Sequence, residues 1–241
     1  MTPWYEQRLC GLDFETTSPD PETARIVTAC VVQCGGDHPT QPANWLSDVE
    51  GQEIPAAAAE IHGVTTERAH AEGVDLRQVV DEILAALTQV VLSGIPVVAM
   101  NARYDLTVLD REARRFGMTP LTDQVGAGLR VIDPYVLDKQ ADRYRKGSRK
   151  LIALCEHYKV SLDGAHSADA DAVAACRVAW RQGCWYSPLA AMSLDELHAA
   201  QVGWAAEQAA SLQEYLRRKD PAAVVEGAWP LIPFREVRRD R

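Results

Sequence analysis

The sequence lacks the features that define several classes of protein. No apolar run approaches the roughly 18–20 residues needed to cross a bilayer, so we expect no membrane-spanning segment. The first residues contain no basic segment followed by a long apolar core, so we expect no secretion signal. None of the six cysteines belongs to a C-x-x-C pair. This absence argues against a zinc site and favours buried free thiols in a reducing cytoplasm.

The chain also lacks the positive net charge that is usual in nucleic-acid-binding proteins, because its formal charge is −9. One segment departs from this balance. Between positions 138 and 150, six cations stand against two anions. Such a surplus is enough to hold a phosphate backbone, although a basic run is also common in solvated loops. The six cations are Lys139, Arg143, Arg145, Lys146, Arg149 and Lys150.

The order of apolar patterns predicts a mixed α/β sheet flanked by helices. We predict early strands that pair antiparallel and later strands that join through right-handed βαβ crossovers. Strands are predicted at 8–13, 26–34, 43–46, 95–100 and 129–133, and helices at 56–61, 74–92, 103–116, 149–159 and 167–183.

A separate helical segment is predicted near the end of the chain. Ser193 and Glu196 have the spacing of a capping box, so a helix should begin there and reach about residue 218. We therefore predict two units, a main domain over 1–188 and a C-terminal helical extension over 189–241.

Two acids lie at the end of the first predicted strand. Asp13 and Glu15 are two residues apart, so their side chains point to the same face and can share a metal ion. In isolation the D-x-E pattern also fits an exposed strand end. Asp20 and Glu22 repeat it, but they follow no strand that would fix their geometry.

Two further segments carry chemistry. Asp105 lies in the first turn of a predicted helix that follows a buried strand, at the edge where open α/β sheets place their sites. A carboxylate there would also simply stabilise the helix start. Asp171 shares a helix face with small apolar residues, and burying an acid there is costly unless it is paired or metal-bound. His166 precedes that helix, where it could reach a substrate. In the alternative, His166 merely caps the helix, and Asp169 rather than Asp171 is the solvated acid.

These segments, in this order, resemble the DEDDh exonucleases, the family that includes the proofreading subunit of bacterial DNA polymerase III. The matching motifs are DFETT, NARYD and HSADAD, and IPAAAAEIHGVTTE and VIDPYVL resemble intervening family segments. The resemblance covers roughly residues 8–183. A sister subfamily has Tyr four residues before the last Asp, where this chain has Ser167, so the histidine version is favoured.

The resemblance implies an RNase H-like fold and 3′→5′ hydrolysis of nucleic acid to nucleoside 5′-monophosphates. It also implies that two Mg²⁺ or Mn²⁺ ions are held by four carboxylates, with His166 as the general base. The implied metal ligands are Asp13, Glu15, Asp105 and Asp171, and the expected substrate contacts are Thr16, Thr17, Phe14 and Asn101.

The chain departs from the family at two positions. Ser18 stands where relatives often have Gly, and Met100 where they often have His. Neither position supplies a metal ligand, so the departures bear on loop shape and substrate preference.

Three functional alternatives remain open at this stage. The expected partner is a nucleic acid with a free 3′ end, with DNA favoured and a role in proofreading or repair. An RNA-trimming exonuclease would carry the same motifs. A non-catalytic nucleic-acid-binding or polymerase-binding module would keep the same fold. The extension 189–241 could dock a polymerase, or it could pack on its own domain.

Overall fold

The computed structural model describes residues 2–162 and 167–235. Its centre is a five-stranded sheet with the order β3-β2-β1-β4-β5. The strands are β1 (Arg8–Thr16), β2 (Ile26–Gly35), β3 (Gln41–Leu46), β4 (Val97–Val98) and β5 (Val131–Ile132).

Helices cover both faces of this sheet. They are α1 (Ala56–His62), α2 (Thr66–Glu72), α3 (Leu76–Leu92), α4 (Arg103–Arg115), α5 (Leu121–Val125), α6 (Pro134–Ala141), α7 (Leu151–Tyr158), α8 (Ala168–Trp185), α9 (Ser187–Ala190) and α10 (Leu194–Arg217). Single 3-10 turns lie at Trp4–Glu6, Val49–Gly51 and Gly126–Gly128.

The sheet has the predicted mixed pairing. The first three strands are antiparallel neighbours, whereas β4 pairs parallel to β1, and β5 pairs parallel to β4. The parallel strands therefore all end at one edge of the sheet. The predicted α/β fold, an RNase H-like mixed sheet flanked by helices, is confirmed. Helices α2, α5, α6 and α9 were not predicted from the sequence.

Alternation along β1 assigns its residues to the two faces of the sheet. Leu12 and Phe14 point into the main core, which is filled by α3 and α4. Gly11, Asp13 and Glu15 point to the opposite face, and α8 packs across β1 and β2. The face that holds the acids is thus the face on which α8 lies.

A glycine in β1 allows the backbone of α8 to pack directly against the strand. A Cβ on Gly11 would lie 2.5 Å from the carbonyl oxygen of Ala172 and 2.9 Å from a methyl group of Val32. We predict that Gly11→Ala lowers the free energy of unfolding by about 1–3 kcal/mol, because α8 must shift. Denaturant unfolding measures this change. Gly203→Ala, at an exposed helical position with open space around it, should instead be stabilising, and equal effects of the two changes would contradict the explanation.

The C-terminal segment packs on the main domain. The predicted capping box is present, since Ser193 Oγ accepts the Glu196 N–H and the Glu196 carboxylate accepts the Ser193 N–H. From α10, buried Gln201 accepts the Asp133 N–H and donates to the Val131 carbonyl. Trp229, which follows α10, is buried in the main core. These contacts join the extension to the end of β5.

All six cysteines are free thiols, and Cys10, Cys30, Cys155 and Cys176 are buried. Cys34 is half-buried and Cys184 is exposed. Within the described residues, no helix is both long enough and apolar enough to span a bilayer.

Candidate active site

Three carboxylates meet beside the end of β1. Asp13, Glu15 and Asp171 each offer an oxygen, and these oxygens all lie within 4.8 Å of one another. The first two come from one face of β1 and the third from the first turn of α8. The side chains are half-buried, so the cluster is accessible from one side. Residues separated by more than 150 positions thus form one constellation of oxygen donors.

The carboxylates of the cluster are half-buried and repel one another. Burial raises the pKa of Asp13 well above its ordinary value, and the charges of Asp105, Asp171 and Glu15 raise it further. Burial, followed by the charge of Asp171, raises the pKa of Glu15 to about 7. Both shifts disfavour the ionised forms of the acids, and a nearby cation would reverse them.

Asp105 lies beside these three acids, at the start of α4. One of its carboxylate oxygens accepts the backbone N–H of Phe14, 3.1 Å away. Burial raises the pKa of Asp105, and the charges of Asp133 and Glu15 add to the shift, while the Phe14 N–H opposes it. The structure therefore links Asp105 to β1 through the residue between Asp13 and Glu15, although Asp105 is outside the group of three close oxygens.

The turn before α4 is held by the aspartate of the VIDPYVL segment, which was not among the predicted site residues. Asp133, at the end of β5, accepts the N–H groups of Asn101 and Ala102, both at 3.0 Å. It also accepts the Tyr135 N–H and the Trp229 indole N–H. Asn101 has a φ of 61°, a conformation that asparagine tolerates better than most residues. Asp133 thereby fixes the turn that aims Asp105.

A sequence signal for Asp133 was available. It caps α6 and is followed by Pro134 at the first helical position. An acid or hydroxyl residue directly before proline is a frequent helix start.

The last motif is only partly described. Ser167 precedes α8 and its hydroxyl donates to Asp169, which is exposed. Asp171 lies one turn further along and belongs to the carboxylate cluster. His166, the predicted general base, lies outside the described residues.

The four expected substrate contacts occupy different environments. Phe14 is buried in the core, so its backbone N–H is what it contributes to the site. The Thr16 hydroxyl donates to the Ser18 carbonyl and touches the Tyr104 hydroxyl. The Thr17 hydroxyl accepts the Arg25 N–H. Asn101 is exposed in the turn before α4.

The residues present suit divalent metal ions. Carboxylate oxygens are the ligands that Mg²⁺ and Mn²⁺ prefer, and the three close donors are all of this kind. The pKa values of Asp13 and Glu15 are raised, so a bound cation would stabilise the ionised forms of both acids. Donor chemistry and electrostatics therefore agree.

Fold and site together define a nuclease of the RNase H-like class. The family described as RNase_T, Exonuclease, matches residues 10–179, which is more than half of the chain. The chain belongs to this exonuclease family, and the predicted class of enzyme, an exonuclease, is confirmed. No curated protein matches the chain in sequence.

Solved structures of E. coli exonuclease I share the fold. The complex with a dT13 oligonucleotide is 18% identical, with a TM-score of 0.60, and the match covers 76% of this chain and 43% of that one. The complex with a dA16 oligonucleotide and a zinc-bound complex with single-stranded DNA are each 18% identical. For both, the TM-score is 0.63 and coverage is 76% of this chain and 42% of that one. This chain thus corresponds to less than half of exonuclease I.

Proposed function

We propose that this protein is a DEDDh-type exonuclease that removes nucleoside 5′-monophosphates from the 3′ end of single-stranded DNA. The observation that carries the proposal is the cluster of Asp13, Glu15 and Asp171, with Asp105 beside it. Its position at the end of β1 agrees with the motifs that define this type in the sequence. Proofreading or repair is the process in which such an activity would serve.

Asp13, Glu15, Asp105 and Asp171 would hold two divalent ions, Mg²⁺ or Mn²⁺. When bound, such ions stabilise both the attacking water and the leaving 3′ oxygen of a phosphodiester. His166 would take the proton from the water, since an imidazole with a pKa near 6.5 serves as a base around neutral pH. Asp133 would keep Asp105 in position through the turn before α4.

DNA is favoured as the substrate by two considerations. The motifs resemble those of a proofreading subunit, and the E. coli proteins of the same fold were solved with dT13, dA16 and other single-stranded DNA. RNA trimming is the second candidate, because contacts to a 2′-hydroxyl are not encoded in these motifs.

The test is an oligonucleotide assay with the purified chain and Mg²⁺ or Mn²⁺. We expect a 5′-labelled single strand to shorten step by step, and we expect nucleoside 5′-monophosphates as products. EDTA should stop the reaction. Matched DNA and RNA oligomers decide the substrate class from their kcat/KM values.

A variant of the second D-x-E pattern supplies the control. Asp20→Ala removes an exposed acid outside the cluster and should retain activity, whereas Asp13→Ala should not. Robust digestion by Asp13→Ala would refute the assignment of the site. Binding of DNA with no cleavage under any metal would favour the non-catalytic module.

A further inference from the structure

A groove runs between α6, the loop after it and α10. Its wide part has a volume of about 480 Å³, and its narrow part, of about 60 Å³, adjoins it. Lys139, Gln208 and Leu212 line both parts, so the two form one continuous depression. We call it the α6–α10 groove. One wall therefore comes from the C-terminal segment.

The narrow end of the groove lies at the sheet edge that carries the carboxylates. Asn101 and Asp133 line this end, and they are hydrogen-bonded to each other. They follow β4 and β5, which run parallel to β1. The carboxyl ends of parallel strands meet at one edge, so the groove leads away from the acids along that edge.

The wide end presents aromatic faces. Tyr144 is 87% exposed and Tyr215 is 55% exposed, and both line the groove. They come from opposite walls, the loop after α6 and α10. Exposed rings in a groove are what unpaired bases stack on, and this stacking tolerates any base.

The same surface carries positive charge, in a chain whose net charge is −9. Lys139 and Arg143 line the groove, and no salt bridge within residues 2–162 and 167–235 engages either of them. Lys139 lies 4.9 Å from the centre of the Tyr135 ring. Glu207 is the acid among the residues that line the wide part.

Hydrogen bonds to a buried carboxylate hold the loop that carries Arg143 and Tyr144 in place. Buried Asp138 accepts hydrogen bonds from Arg145 and Arg149, and from the Tyr158 hydroxyl. The cations of the basic run therefore have two roles. Arg145 and Arg149 stabilise the loop, whereas Lys139 and Arg143 remain available to phosphates.

We propose that the α6–α10 groove binds the single strand upstream of the 3′ end that lies in the active site. Bases stack on Tyr144 and Tyr215, and phosphates lie near Lys139 and Arg143. Because paired bases expose no faces, the groove selects single strands over duplexes. This inference rests on the proposed exonuclease function, and it assigns the C-terminal segment to substrate binding.

The test compares two substrates of the full-length protein. A dT oligomer of about 12 nucleotides, within the site sizes of single-strand-binding folds, engages the groove, whereas a mononucleotide aryl ester engages the carboxylates alone. Tyr144→Ala should raise KM for the oligomer about tenfold, with kcat and ester hydrolysis unchanged. Tyr144→Phe, which keeps the ring, should behave as the wild type.

Salt dependence tests the cations. Arg143→Ala should reduce the slope of log affinity against log salt by about 0.7, the value for one phosphate contact on a single strand. Arg77→Ala, an exposed cation on α3, should leave the slope unchanged. Unaltered KM in Tyr144→Ala, together with an unaltered slope in Arg143→Ala, would overturn the proposal.

A binding measurement separates this proposal from the proposed function. Fluorescence anisotropy of a labelled dT oligomer, with EDTA present, reports the groove without catalysis. If the wild type cleaves neither substrate yet binds the oligomer, and Tyr144→Ala weakens that binding, the groove stands and the exonuclease assignment fails. If the wild type cleaves the oligomer and neither Tyr144→Ala nor Arg143→Ala alters its binding, the exonuclease assignment stands and the groove proposal fails.

Discussion

Asp13→Asn will reduce metal-dependent exonuclease activity by about 10³-fold or more, while it stabilises the metal-free protein. The loss is expected because a proposed metal ligand is replaced, and even the partners of ligands are worth about 10–100-fold. The stabilisation follows from the repulsion between Asp13 and the acids Asp105, Asp171 and Glu15. Activity assays and thermal unfolding with and without Mn²⁺ measure both effects.

Ionisation of the clustered acids destabilises the metal-free protein because their pKa values are raised in the folded state. An acid whose pKa is raised in the folded state binds its proton more tightly there than when unfolded, so its ionisation destabilises the fold. For Glu15, the metal-free protein should lose stability as the pH rises from about 4.5 to about 7. Asp13→Asn removes one of the interacting charges. At pH 8 without metal, we expect the variant to melt about 3 °C or more above the wild type, since 1 kcal/mol is worth roughly 2–4 °C.

Bound metal should reverse the order of the two melting temperatures, so that the wild type melts above Asp13→Asn. Mn²⁺ should raise the Tm of the wild type and leave Asp13→Asn nearly unchanged. Asp81→Asn, an exposed acid on α3, serves as the control and should respond to Mn²⁺ as the wild type does. An equal Mn²⁺ response of wild type and Asp13→Asn would show that the cluster is not the metal site.

The features that could be predicted from the sequence are local. Alternation along β1 placed Asp13 and Glu15 on one face, because a strand has a period of two. The spacing of apolar residues identified α3 (Leu76–Leu92), whose buried face repeats at helical intervals. Each of these inferences needed only a short window of residues.

The features that were missed depend on partners distant in the chain. Asp133 is important because Asn101 and Ala102 donate to it from the neighbouring strand's turn, and Trp229 from 96 residues away. No local pattern contains those donors. From the sequence alone, Asp133-Pro134 predicts only that Asp133 caps α6.

The basic run between 138 and 150 shows the same limit. A count of charges treats its six cations as equivalent. The fold buries Asp138, and Arg145 and Arg149 turn toward it because a buried carboxylate requires partners. Charge along the sequence thus indicated a basic surface, while the division between structural and exposed cations required the tertiary contacts.

Asp133→Ala will destabilise the protein by about 3–5 kcal/mol and lower kcat about 10–100-fold. The stability falls because four N–H groups, those of Asn101, Ala102, Tyr135 and Trp229, lose their acceptor in a buried site. The activity falls because the turn before α4 is released, and Asp105 follows it. Denaturant unfolding and kcat, measured at a temperature where the variant is folded, report the two effects.

Glu112→Gln separates these effects. Glu112 is also a buried acid, it lies further along α4, and it pairs with Arg25 rather than with the turn. Its replacement should cost stability with kcat unchanged in the folded protein. Asp133→Asn, which keeps one carbonyl oxygen as an acceptor, should recover part of the kcat lost in Asp133→Ala. If Asp133→Ala retained full kcat while folded, Asp133 would be a structural residue and the position of Asp105 would not depend on it.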